Sequence, residues 1–175
     1  GGWRAVETLA AGQAVITFDA GPQPLAAVQT AALGAADLPR RLWPRRVPTA
    51  ALGLTRDLLL PADQPLLVEG EAVEALTGEA FALIPAHALD GWRGIRPMAP
   101  RPGLTVVTLD FGRPRAVYAQ GRAILACGGA GGLVHLTPAE AELWTALALA
   151  EDMGLALRRT RAAPQATRAG GANRP

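Results

Sequence analysis

The sequence predicts an all-β fold of short strands with one C-terminal α-helix, and three observations predict it. The 175 residues include 20 Gly and 15 Pro, so long uninterrupted elements have little room. From Arg4 to Val68 the apolar residues come in runs of four to six, separated by Gly, Pro or charges, which is a strand pattern. A single strong helix-start signal stands near the end, at Thr137-Pro138-Ala139-Glu140.

The elements follow in order. Trp3, Val6 and Leu9 are spaced for a short covered segment that Gly12 ends. Ala14-Val15-Ile16-Thr17-Phe18 holds β-branched and aromatic strand formers. Asp19-Ala20-Gly21-Pro22 is turn chemistry, with a second strand from Gln23 onward. Leu66 to Gly70 ends a further strand, and Glu71 to Leu76 reads equally as a helical turn or a strand edge. Phe81 to Ile84 is a strand stopped by Pro85, and Asp90 to Gly103 is a long irregular connection. Val106 to Phe111 and Ala116 to Ala119 flank Gly112-Arg113-Pro114-Arg115 as a hairpin, although Pro114 removes a ladder donor.

The capping box then opens a helix at about 138–153. Pro138 takes the first helical position, where a missing N–H costs nothing. Leu143, Leu147 and Ala150, widened by Trp144, form its expected core stripe, and Gly154 is its expected stop. Residues 1–156 are read as the domain and 157–175 as a disordered, Arg-rich tail.

Composition excludes several chemistries. There is no Ser for a serine triad, and no Lys for a phosphate-binding P-loop or a Schiff base. One Cys cannot form an internal disulfide. Residues 158–175 carry five Arg and no acid, while the rest holds 12 Arg against 15 acids, so the basic character belongs to the tail. No apolar run is long enough to cross a bilayer. The chain starts at Gly with no charged-then-apolar leader, so it is expected to be a piece of something longer.

The opening GWRAVETLAAGQAVITFDAGPQPL, Gly2 to Leu25, resembles the front half of the Hint (Hedgehog/intein) domain in its compact bacterial form. Pro48-Thr49-Ala50-Ala51-Leu52-Gly53 and Arg56-Asp57-Leu58-Leu59-Leu60 resemble the family's approach to its first catalytic block. Val106 to Gly121 resembles the segment carrying its second block, and the likeness covers residues 2 to 155. It implies a horseshoe of short strands and autoprocessing in cis, either self-cleavage or splicing, of an upstream, secreted polypeptide segment. In such domains a Cys at the first position attacks the preceding carbonyl. A Ser/Thr-x-x-His block polarises the bond, with no metal or cofactor.

Here that Cys would lie upstream of Gly1, about a dozen residues before it. The first block, Ser-Pro-x-His-Arg in the family, falls on Pro61-Ala62-Asp63-Gln64-Pro65, with Pro61 for the Ser and Gln64 for the His. The second block, His-Leu-Leu-Phe-Asp-Arg-His, falls on Thr108 to Pro114. Phe111 and Arg113 keep their places; Thr108, Gly112 and Pro114 replace the first His, the acid and the second His. A catalytically inactive domain is therefore expected, with none of the catalytic set intact. The alternatives are slow cleavage by a Cys upstream of Gly1, or a basic module binding nucleic acid through Arg40–Arg46 and the tail.

Other candidates have plainer readings. Cys127 is read as a small buried hydrophobe at a strand end, rather than a thiolate activated by Arg122. His87 reads as a surface or loop residue, and His135 makes no pair with Cys127. Neither His belongs to a metal set, and no cofactor is expected. Gly128-Gly129-Ala130-Gly131-Gly132 reads as a flexible joint before the helix, not a nucleotide loop. Asp57, Asp63, Glu69 and Glu71 are scattered carboxylates without the spacing of a glycosidase pair. Arg40, Arg41, Arg45 and Arg46 around Trp43 read as a solvated loop entering a strand at Val47, so nucleic-acid binding is not expected.

Overall fold

The computed structural model describes residues 2–33, 38–129 and 131–162, with the side chains of 155–162 set aside. Twelve strands and two α-helices form among them: β1 (Ala14–Thr17), β2 (Gly21–Pro24), β3 (Ala27–Ala32), β4 (Arg45–Val47), β5 (Leu58–Leu60), β6 (Pro65–Glu69), α1 (Glu71–Thr77), β7 (Phe81–Pro85), β8 (Arg96–Pro97), β9 (Thr105–Asp110), β10 (Arg115–Ala119), β11 (Ala123–Cys127), β12 (Val134–His135) and α2 (Pro138–Ala162). Short 3-10 turns stand at Val6–Thr8, Arg40–Leu42, Ala86–Leu89 and Trp92–Gly94. The all-β expectation holds, with α1 as a second helix where the sequence left helix and strand open.

The strands form three sheets. The largest has the order β12-β7-β6-β11-β10-β1-β2; β3 pairs with β9 alone; β5, β4 and β8 make the third. Val47, Leu66, Val73, Ile84, Leu89 and Ile95 are buried in the core, together with Trp144 from α2.

Two expectations about pairing are corrected. β9 and β10 do not form a hairpin. β9 lies antiparallel to β3, from Ala27 opposite Asp110 to Ala32 opposite Thr105. Asp110 Oδ1 accepts the Gly112 N–H at 2.7 Å, and Gly112 turns there at a φ of 71°, which carries the chain out of one sheet into another. The hairpin is instead β10–β11, closed by Gln120, Gly121 and Arg122 between Ala119 and Ala123. Gly121 sits at a φ of 120°, and a Cβ on it would stand 2.7 Å from Gly53 O. Only glycine fits that approach. The other correction is minor: the second strand begins at Gly21, inside the expected turn.

Helix α2 differs from expectation in length and in phase. The capping box forms: the Thr137 N–H reaches Glu140 Oε2 at 2.7 Å, and the Glu140 N–H reaches Thr137 Oγ1 at 3.3 Å. The helix does not stop at Gly154 but runs to Ala162, so residues 157–162 are helical and not part of a disordered tail. The rest of that expected tail lies outside the described residues.

Its buried face is Ala141, Trp144 and Thr145, with Ala148 and Leu149 packed beside the core. The expected stripe of Leu143, Leu147 and Ala150 points to solvent instead. Ala and Leu occupy every face of this helix, so periodicity alone cannot assign its inner side. At the other end of the chain Trp3 is likewise exposed, not covered.

Specific contacts hold α2 down. Thr145 Oγ1 donates to Ala88 O at 2.9 Å. Trp144 meets Trp92 edge to face at 5.4 Å between centroids. Arg93 donates to both carboxylate oxygens of Asp152, at 2.8 and 2.7 Å, and lies over the Trp92 ring. Arg93 takes a left-handed backbone, φ 45°, to do so.

Candidate functional site

The loop between β5 and β6 is a turn in which the Gln64 N–H donates to Pro61 O at 3.2 Å. It is docked against the 3-10 turn after β7, where the Ala86 N–H donates to Gln64 O and the His87 N–H to Ala62 O. Both amide protons of the Gln64 side chain are taken: Nε2 donates to Pro65 O at 3.0 Å and across to Ala126 O of β11 at 2.9 Å. Gln64 is thus a fastener between β6 and β11. A carboxamide does not titrate, so it has no proton to pass on.

Pro114 reaches the same end of β11 from the other side. It stands just before β10, in which Arg115 is opposite Cys127. The glycine-rich segment folds over it, close enough that a Cβ on Gly131 would stand 3.2 Å from Pro114 Cβ. Of the five positions expected to match the family's blocks, Gln64 and Pro114 flank one strand end, with Pro61 closing the Gln64 turn. Thr108 is elsewhere, exposed on β9 opposite Gln29 of β3, and Gly112 lies in the exposed turn that leaves β9.

Between the two flanking residues sits Cys127, half-buried and free. Burial pushes its thiol up to about 11, so it is neutral near pH 7. Arg122 cannot activate it: that side chain packs over Gly53 at the opposite end of β11. Beside Cys127, Arg115 Nη1 donates to Asp19 Oδ2 at 2.7 Å, and the Ala116 N–H donates to Asp19 Oδ1 at 3.2 Å. Burial works to raise the Asp19 carboxyl, but these backbone and guanidinium partners together hold it below its usual value.

Sequence reasoning missed one neighbour of the first-block loop. His87 Nδ1 lies 2.9 Å from Ala62 O. A carbonyl only accepts, so Nδ1 is the donor in this contact. The ring is exposed, as the surface reading has it. The signal available was only the order of segments, a strand ended by Pro85 and then a turn. His135 is on β12, opposite Leu83.

The Arg40–Arg46 segment offers less to a nucleic acid than its composition suggests. Arg45 is buried, with four of its five N–H donors bonded, to both oxygens of Asp90 at 2.9 Å and to the carbonyls of Arg41 and Trp43. Arg46 pairs with Asp57, and the Trp43 indole N–H donates to Leu38 O. Arg40 and Arg41 are left exposed at the rim of an open depression with Gly91 and Pro97. Asp63, Glu69 and Glu71 are exposed. Among the described residues no group of three or more His, Cys, Asp or Glu is placed to hold a metal ion, and no helix is long and apolar enough to cross a membrane.

The molecule is thus a β-domain in which loops from distant parts of the chain meet at one strand end. A family model described as the Hint domain matches residues 1–124, and the chain belongs to that family. No curated protein and no solved structure matches it.

Proposed function

We propose that this Hint domain has lost the self-cleavage chemistry of its lineage and persists as a structural or interaction module for an upstream segment of the same chain. One observation carries the reading: at the block-histidine position, both amide protons of Gln64 are committed to backbone carbonyls. General acid–base help is typically worth about 10²–10⁴-fold, and neither Gln64, Pro61, Gly112 nor Pro114 supplies it. The finer architecture goes with this reading: a horseshoe of short strands, with neither metal nor cofactor.

A second reading is favoured by His87, whose ring is held through Nδ1 against the first-block loop. In it, a Cys upstream of Gly1 attacks slowly and His87 moves the proton. Intact mass decides between the two, on a longer chain that carries the native upstream residues behind a reporter protein. Incubated for days with and without a thiol, it is expected to keep one unchanged mass. A cut at the upstream Cys overturns the inactive reading. A slower cut in the His87→Ala variant then assigns the proton transfer to His87.

A further inference from the structure

The arginines of the domain are gathered on one lobe. Residues 38–60 and 90–101 hold eight of the 12 arginines that precede residue 158, against two acids, Asp57 and Asp90. The rest of residues 1–157 carries four arginines against 13 acids. The lobe is the β5-β4-β8 sheet with the turns that enter it. Arg45 and Arg46 take its two carboxylates, and Arg93 takes Asp152 from α2. Arg40, Arg41, Arg56 and Arg96 are exposed, and none of them pairs with a carboxylate among the described residues. Arg40 and Arg41 line an open depression of about 600 Å³ together with Gly91, Pro97 and the mutually neutralised Arg45 and Asp90. Unmatched positive charge on one part of an otherwise acidic domain draws in a partner of opposite sign.

We propose that this lobe docks an acidic, flexible polypeptide segment of a partner protein, whether or not the domain cleaves. The geometry selects a flexible chain. β8 is a two-residue edge strand, on which Pro97 faces the same side as Arg45 and Arg96 the same side as Arg46. Carboxylates therefore meet the arginines from both faces of the sheet, and a peptide bends round so short an edge. Duplex DNA, stiff over about 50 nm, does not. A nucleic-acid single strand needs exposed rings to stack on. Trp92 is buried, and Trp43 is half-buried with its indole N–H given to Leu38 O. The side chain exposed beside Arg41 is Leu42, at 44%, which fits an apolar residue among the partner's acids. Pro97 has no N–H to offer, so side chains hold the segment and it does not add a strand.

Fluorescence anisotropy with the full 175-residue chain tests this, the probe being a labelled peptide of about 12 residues, all Glu but for one central Leu. Binding is expected in the micromolar range at about 50 mM salt and about tenfold weaker or more at about 300 mM. Arg40→Glu together with Arg41→Glu is expected to weaken it by about tenfold or more, and Arg96→Glu severalfold, with unchanged circular dichroism. The same reversal at Arg158 and Arg159, outside the lobe, is expected to change it less than about twofold. A peptide that does not bind overturns the proposal, and so does an equal loss from the Arg158 and Arg159 reversal. A duplex or single-stranded oligonucleotide of similar charge that binds the lobe as tightly as the peptide overturns the polypeptide occupant.

Discussion

Gln64 ties two strands together with a side chain that no propensity scale would single out. In Gln64→Ala the carbonyl of Ala126 loses its cross-strand donor, at an expected cost of about 1–3 kcal/mol in chemical denaturation. Arg45 makes a sharper case, because its side chain is 5% exposed and Asp90 is its only counter-charge among the described residues. Asp90→Ala leaves that cation buried and unpaired, with an expected loss of about 3 kcal/mol, moderated by the partial exposure of Asp90 itself. Cys127 gives a reading that needs no mutation. With its thiol pushed up to about 11 by burial, alkylation at mildly alkaline pH is expected to be far slower in the native chain than in denaturant. Equal rates in the two states would rule out the buried, neutral thiol. The family resemblance could be laid residue by residue on the sequence. The cross-strand partner of Gln64 could not be read there, because Ala126 lies far along the chain.

Strand positions could be read from apolar runs between Gly and Pro; strand partners could not. Val106 to Ala119 looked like a hairpin because local turn chemistry was present, yet the Asx turn at Asp110 and Gly112 sends β10 to a different sheet. The true turn, Gln120 to Arg122, is set by its fit against Gly53, and nothing local announces that. Gly121→Ala is expected to cost about 3 kcal/mol, through backbone strain and collision together. For α2 the cap was legible and the phase was not. Its attachment depends on Asp152, whose carboxyl the hydrogen-bonding Arg93 guanidinium holds below the usual aspartate value of 3.8, against the opposing effect of burial. A lowered folded value means that this stabilisation is complete above 3.8 and fades as pH falls through the still lower folded value. Tryptophan fluorescence, reporting on Trp92 and Trp144, is expected to show α2 loosening at that acid edge. Asp152→Asn should flatten the transition; a transition that survives in that variant assigns it to other groups.

At the scale of the whole fold, the described residues form three sheets, and only one strand pair among them, β7 with β12, is parallel. The fold class was legible from composition and punctuation. The division into three sheets was not, since it depends on pairings whose partners lie tens of residues apart. β6–β7, β10–β11 and β1–β2 join near neighbours in sequence, whereas β3–β9 brings Ala27 against Asp110 and must enclose everything between. Read as a clock, that ribbon keeps a late hour, as does β1–β10 with Thr17 opposite Val117: the entropy of closing so long a loop is met before any of its rungs returns energy. Weakening it with Val107→Ala, opposite Thr30, should hasten unfolding while leaving the refolding rate almost untouched, as stopped-flow mixing can resolve.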